Sequence, residues 1–74
     1  MWVLNQDKSE LVNPSYYSRD YSEGTYNIWC DGTLLGSYSS EAKARIVMSQ
    51  IAILIESTQP NKVFIMPLDD KVEV

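Results

Sequence analysis

The chain has 74 residues, a formal net charge of −4, one cysteine and no histidine. A chain of this length makes one domain and buries only about 60% of its unfolded surface, so its core is small. The single cysteine excludes an internal disulfide, and the lack of histidine excludes a Cys/His zinc site. A partner subunit is therefore the expected source of additional stability.

The acidic balance argues against nucleic-acid binding, which needs clustered lysine and arginine, because the chain has only six such residues. Its longest apolar run, Ile51 to Ile55, is far shorter than the roughly 20 residues of a membrane helix. The N-terminus has neither the basic segment nor the apolar run of a signal peptide. A lone cysteine suits a reducing compartment. Taken together, these features predict a cytoplasmic protein that binds neither nucleic acid nor membrane.

Two short strands open the chain in the predicted fold. Trp2 to Leu4 forms the first and Glu10 to Asn13 its return, because turn residues separate them. Pro14 ends the second strand, since proline cannot donate to a sheet ladder. Residues 14–24 contain three tyrosines and are predicted to form an irregular loop, which can include an edge strand around Tyr16 to Arg19.

A hairpin is the clearest predicted element. Thr25 to Cys30 is filled by β-branched and aromatic residues that alternate between two faces, which indicates a strand. Asp31 and Gly32 follow, and an Asp-Gly pair predicts a two-residue turn because both of its positions favour positive φ. The partner strand is "TLLGSY", in which Gly36 predicts a bend or a close packing contact.

A helix is predicted over residues 39–57. Ser39 or Ser40 caps its first turn, and the segment 58–61, "TQPN", breaks it. Residues 61–67 form the last strand, and the apolar side chains on both of its faces are typical of a covered strand.

The predicted fold is α+β, a single domain over residues 1–74. Its β-hairpins occupy residues 1–38, and an acidic tail occupies residues 68–74. Four to five antiparallel strands in the order ββ–ββ–α–β form one sheet, with the helix packed on one face. The last strand can pair within the chain or across an interface, because its two apolar faces suit both arrangements.

The predicted helix carries more apolar surface than one sheet covers. One arc suits packing on the sheet and consists of Ala44, Val47, Met48, Ile51, Leu54 and Ile55. A second stripe consists of Ala42, Ile46 and Ile53 and is separated from the first by Lys43 and Gln50. We expect this stripe to contact the helix of a second copy. Cover by the tyrosine-rich loop or the tail, and plain exposure, are the alternatives.

Catalytic chemistry finds little support in the sequence. Histidine, the commonest general base, is missing. Cys30 stands at a strand end and is predicted to be a small apolar filler rather than a nucleophile. Asp69 and Asp70 supply only a fragment of a cation cage, and no glycine-rich phosphate loop of a known type is present. The sequence thus predicts a protein that is not an enzyme and needs no metal or cofactor.

The tyrosine-rich loop is the predicted recognition surface. Rigid amphipathic rings and arginine are enriched at binding hot spots, and the loop offers both. The predicted binding residues are Tyr16, Tyr17, Arg19, Tyr21 and Trp29. In the alternative interpretation the rings cap the sheet edge and cover the core, and Arg19 pairs with Asp20 or Glu23.

Three segments form a recognisable combination: "WVLNQDKSELVN" at the opening, "LGSYSSEAKARIVMSQI" at the start of the helix and "KVFIMP" in the last strand. Together they cover about half of the chain. The combination resembles a group of small uncharacterised proteins carried by phages, prophages and genomes of Gram-positive bacteria. This resemblance implies a small accessory protein that acts by binding, directed against a host system, and it implies no activity for any single residue.

The sequence therefore predicts a non-enzymatic interaction module that forms a homo-oligomer, most simply a dimer, and binds a host or phage protein. Binding would use the tyrosine-rich loop or an exposed sheet face. The alternative is a protein that sequesters a small nucleotide-like molecule at a subunit interface. That ligand would stack on Tyr16, Tyr17 or Trp29, and Arg19 or Arg45 would hold its phosphate.

Overall fold

The structure, a computed structural model, describes residues 1–57 and 62–74. In chain order its elements are β1 (Trp2–Leu4), β2 (Leu11–Val12), β3 (Ser18–Ser22), β4 (Thr25–Cys30), β5 (Thr33–Tyr38), α1 (Glu41–Glu56), β6 (Val63–Ile65) and a 3₁₀ turn (Asp69–Lys71). The predicted helix break at residues 58–61 lies outside the described residues, and so does the first residue of the strand predicted over 61–67.

The strands form two three-stranded sheets rather than one. Sheet I has the order β2–β1–β6, and sheet II has the order β3–β4–β5. The α+β class is confirmed, whereas the predicted single antiparallel sheet of four to five strands is corrected to two separate sheets. In sheet I, β6 lies parallel to β1, with Trp2 opposite Val63 and Leu4 opposite Ile65. A parallel pair needs a long crossover connection, and α1 lies within this one.

Strand β3 falls within residues 14–24, which were expected to form an irregular loop with an optional strand around Tyr16 to Arg19. It pairs with β4 through a turn at Glu23 and Gly24, whose φ angles are 52° and 82°. All five residues of β3 are exposed. The segment therefore has no buried face to produce the apolar alternation that marks a strand in a sequence.

Asp31 and Gly32 form the predicted two-residue turn between β4 and β5, with φ angles of 46° and 84°. Gly36 makes the close packing contact that was one of its two predicted roles. A Cβ atom added there would lie 3.0 Å from the hydroxyl oxygen of Tyr38 and 3.3 Å from Cε of Met66. Glycine at position 36 thus allows these two buried side chains to cross directly above the strand.

Strand β5 carries a bulge that joins the two sheets. The register between β4 and β5 shifts after Ile28, so Leu35 is an extra residue in β5. Its carbonyl oxygen accepts a hydrogen bond from the backbone N–H of Gln6, in the β1–β2 turn, at 2.7 Å. The bulge therefore provides a backbone acceptor for the turn of the neighbouring sheet.

Helix α1 begins after Ser40, whose hydroxyl oxygen accepts a hydrogen bond from the N–H of Lys43 at 3.2 Å. Ser40 is thus the cap, one of the two predicted candidates. The buried residues of the helix are Ala44, Val47 and Ile51. Ile55 was predicted to share their face but is 55% exposed, and Ile51 is the last fully buried residue of the helix.

The hydrophobic core of the described residues lies between α1, sheet II and the inner side of sheet I. Its buried members are Val3, Ile28, Cys30, Leu35, Tyr38, Ala44, Val47, Ile51, Met66 and Val72. Val72 belongs to the segment predicted as an acidic tail, which is therefore anchored rather than free. Asp69 fixes it to the start of the helix, because Asp69 Oδ1 accepts from the backbone N–H of Ser39 at 2.8 Å and its carbonyl accepts from Nζ of Lys43 at 2.8 Å.

Candidate interaction surfaces

Arg19 and Tyr21 lie two residues apart on β3, so their side chains leave the strand on the same side. The Tyr21 ring is 61% exposed and rests against the ring of Tyr26, with 4.6 Å between the ring centroids. Nη2 of Arg19 lies 3.7 Å from Oε1 of Glu41 at the start of α1. Arg19 and Tyr21, called the hairpin surface below, thus place an exposed ring beside a cation.

Oε1 of Glu41 also lies 3.3 Å from Nε of Arg45, so two arginines share one carboxylate. The partner of Arg19 is therefore Glu41 rather than the predicted Asp20 or Glu23. Ion pairs this exposed contribute at most about 1 kcal/mol to stability. Their main effect here is orientation, since Glu41 holds the end of the Arg19 side chain over the junction between β3 and the helix.

The other three predicted binding residues have different environments. Tyr16 is exposed, whereas Tyr17 packs against the core, and burial raises the pKa of its hydroxyl above the ordinary value. Trp29 leaves β4 on the face of sheet II that points away from the core. Its indole N–H is buried and has no acceptor among the described residues. The structure thus places Arg19 and Tyr21 together at the surface, whereas Tyr17 packs against the core and Trp29 lies on the other face of sheet II.

The same outward face of sheet II contains a polar network around Asn27, which is 4% exposed. Asn27 Oδ1 accepts from the hydroxyls of Thr25 and Ser37, both at 2.8 Å. Its Nδ2 donates to Oδ1 of Asp20 at 3.0 Å and to the hydroxyl of Ser22 at 3.2 Å. These four bonds use the full hydrogen-bonding capacity of the amide, so Asn27 has no donor or acceptor left for a ligand. Their partners lie on β3, β4 and β5, so the network joins the three strands.

The predicted helix stripe is divided between core and surface. Ile46 is partly buried and packs against the core, whereas Ala42 is exposed and Ile53 is 66% exposed. An open groove of about 430 Å³ is lined by Gln50, Ile53, Leu54 and Phe64. Contact of the stripe with a second copy stays a prediction, but Ile46 is already engaged within its own chain.

Sheet I carries an apolar side that the sequence did not single out. The register places Trp2 beside Val63, and Leu4 between Leu11 and Ile65, on the side turned away from the core. These five side chains are called the outer face below. Four of them are substantially exposed: Trp2 by 43%, Leu11 by 54%, Val63 by 48% and Ile65 by 55%. The signal in the sequence was the apolar pattern of "KVFIM", which predicted a covered strand, yet the described residues leave its outer side uncovered.

Cys30 has the environment of a packing residue. It is 3% exposed, and burial, together with the negative charges of Asp31 and Glu10, raises the pKa of its thiol. A buried thiol that stays protonated is a poor nucleophile. Among the described residues, no three Cys, Asp or Glu side chains are grouped so that they could hold a metal ion.

Comparison of the chain with models of protein families, with curated proteins and with solved structures found no match. Within residues 1–57 and 62–74, no helix has both the length and the apolar character needed to cross a membrane. The hairpin surface, the helix stripe and the outer face are therefore the features of the described residues that bear on function.

Proposed function

We propose that this protein is a non-catalytic, cytoplasmic interaction module that self-associates and binds another protein through the hairpin surface. The resemblance to phage and prophage proteins makes a host or phage protein the proposed partner. The observation that carries the proposal is the pairing of Arg19 and Tyr21, an arginine and an exposed aromatic ring side by side on one strand. These are the residue types that dominate binding energy at protein interfaces.

Pre-organisation supports this role for the hairpin surface. A ring that already rests on Tyr26 and a guanidinium that already lies beside Glu41 lose less freedom on binding than free side chains do. Arg19 stands opposite the fully buried Ile28 in the strand register, and only 33% of its side chain is exposed, so part of its apolar stem also covers the core. Substitution of Arg19 therefore affects folding as well as recognition, and Tyr21 provides the cleaner test.

Sequestration of a nucleotide-like molecule is the second proposal, and the geometry favours it less. It requires Tyr16, Tyr17 or Trp29 to stack on the ligand and Arg19 or Arg45 to hold its phosphate. Tyr17 packs against the core and Trp29 lies on the opposite face of sheet II from Arg19, which leaves Tyr16 as the exposed ring. The ligand would need a site completed by a second copy, as the sequence-based interpretation proposed.

The partner-binding proposal is tested by affinity capture from the lysate of a Gram-positive host, with wild type and variants as bait. Tyr21→Ala should lose a specifically captured protein, whereas Tyr21→Phe should retain it because the ring stays in place. Arg45→Gln is the matched control, since it removes an arginine that shares Glu41 but does not belong to the hairpin surface. Equal capture of the same protein by Tyr21→Ala and wild type would contradict the assignment.

A further inference from the structure

We infer that two copies of this chain pack face to face through the outer face of sheet I. The interface consists of Trp2, Leu4, Leu11, Val63 and Ile65 from each copy. This inference specifies how the self-association in the proposed function occurs, and it is independent of the hairpin surface. It also differs from the helix–helix contact expected from the sequence.

The register of sheet I produces one continuous apolar surface. Leu11, Leu4 and Ile65 form one row across the three strands, and Trp2 and Val63 form the next. All side chains that β1, β2 and β6 direct to this side are apolar. With their exposed fractions, they make a patch on the order of 400 Å², which equals the largest apolar patch of a typical soluble monomer, a feature that is often functional.

The area agrees with the requirement of a stable dimer. Apolar atoms supply about 60% of a typical interface, so a patch of this size with its polar rim corresponds to on the order of 650 Å² for each subunit. A standard interface uses about 800 Å² for each partner, and crystal-type contacts use about half of that or less. The outer face therefore falls in the range of a specific association of modest strength.

The charge distribution favours a second copy over other occupants. The chain carries a net charge of −4, so two copies repel each other, and this repulsion is smallest where the surfaces that meet carry no charge. The strands of sheet I place no charged side chain on the outer face. An anionic membrane or a nucleic acid would need cationic side chains there and finds none within these strands.

The shape of the outer face suits association with itself. Two sheets pack face to face at about 10 Å with their strands roughly aligned, and a twofold axis presents the same patch from both sides. The central strand β1 then lies over its counterpart, and Trp2 and Leu4 come to the middle of the new core. The dimer would use none of the residues of the hairpin surface, so it would carry two copies of that surface and bind a multivalent partner more tightly.

Sedimentation equilibrium of the full chain tests the inference. Val63→Thr/Ile65→Thr keeps β-branched side chains but makes this part of the face polar, and it should raise the dimer Kd at least about a hundredfold. Leu11→Thr lies on the opposite edge of the same sheet and should also weaken the dimer. It replaces the double variant in the test if that variant fails to fold. Ile55→Thr is the matched control, because Ile55 and Ile65 are both 55% exposed and only Ile65 lies on the outer face. Its Kd should stay within about threefold of wild type.

Three outcomes would overturn the inference. If the protein stays dimeric with Val63→Thr/Ile65→Thr but dissociates with Ile53→Thr, self-association is assigned to the helix instead. A wild type that is monomeric at high micromolar concentration would remove self-association altogether, while the hairpin surface would still be judged by the capture experiment. A monomeric wild type that floats with phosphatidylcholine vesicles would assign the outer face to lipid.

Discussion

The side chain of Gln6 pairs with the backbone of Ser37 as a strand residue would. Its Oε1 accepts from the N–H of Ser37 at 2.9 Å, and its Nε2 donates to the carbonyl of Ser37 at 3.2 Å. The same Nε2 donates to the carbonyl of Pro67 at 3.1 Å. One glutamine thus closes the open edge of β5 and ties the β1–β2 turn, sheet II and the segment after β6 together.

Gln6→Ala should therefore lower the free energy of unfolding by about 1–3 kcal/mol, because it leaves partly buried backbone groups without partners. Urea denaturation followed by circular dichroism measures this loss. Gln6→Glu is the matched variant: it keeps the acceptor for Ser37 but removes the donor and places a negative charge beside two carbonyl oxygens, so it should be no more stable than Gln6→Ala. Unchanged stability in both variants would mean that water replaces these bonds at no cost.

Gly32→Val should lower the free energy of unfolding by more than about 1 kcal/mol, because Gly32 has a φ of 84° that a β-branched residue adopts only with strain. The space around the residue is open, so the cost arises from the backbone alone. Gly32→Asn is the control, since asparagine tolerates positive φ better, and its loss should be smaller. Equal losses for valine and asparagine would point to a different turn conformation.

Cys30→Ala should keep partner binding and lower the free energy of unfolding by about 1–2 kcal/mol, since a small buried side chain is exchanged for a smaller one. In the native wild type, alkylating reagents should react slowly with this thiol, because burial both blocks access and raises its pKa. The two measurements are a thermal melt and the rate of thiol labelling with and without urea. Loss of binding in a folded Cys30→Ala would assign the thiol a functional role.

Asp69 should make stability depend on pH. Hydrogen bonds from the backbone and hydroxyl of Ser39, with the nearby Lys43 ammonium, lower the pKa of Asp69 below its ordinary value of 3.8. A pKa lowered by folding contributes stability that is complete above that ordinary value and is lost as the pH falls through the folded-state pKa. Wild type should thus become less stable as the pH falls below 3.8, and Asp69→Asn should be less stable at neutral pH but lose less stability on acidification. The pKa of Asp7 is also lowered by Ser9, so some acid dependence will remain in the variant.

Local signals in the sequence predicted most single elements of the fold. The alternation in Thr25 to Cys30, the Asp31–Gly32 turn and the serine cap of the helix depend on neighbouring residues, and the structure contains all three. Strand β3 has no such signal because every residue in it is exposed. Tyr16 to Arg19, suggested as an edge strand, overlaps it only in part.

Long-range pairing could not be predicted in the same way. Whether β6 joins β1 or the hairpin strands depends on contacts between residues about sixty positions apart, such as Trp2 and Val63. The outer face depends on that register, so the sequence alone does not reveal it. The bond from Gln6 to Ser37 is equally non-local, since nothing within "NQDKS" distinguishes this side chain from an ordinary turn residue.

Binding residues were the hardest to predict because a ring can serve the core or the surface. Tyr17 and Tyr21 are four positions apart in one polar segment, yet Tyr17 packs against the core and Tyr21 is mostly exposed. Tyr21 lies within β3, all of whose residues are exposed, whereas Tyr17 precedes the strand. The same ambiguity applies to Ile46 and Ile53, one heptad apart on the helix, of which only Ile46 reaches the core.

Native mass spectrometry of the protein purified from expressing cells tests the central claim most directly, since it reports subunit count and retained small molecules in one spectrum. A self-associating interaction module should appear as a dimer of twice the 8.5 kDa chain mass, with no added mass. The dimer signal should be lost in Val63→Thr/Ile65→Thr and retained in Ile55→Thr. A monomer at all concentrations would contradict self-association, and a dimer that retains a nucleotide-sized molecule would favour sequestration as the function.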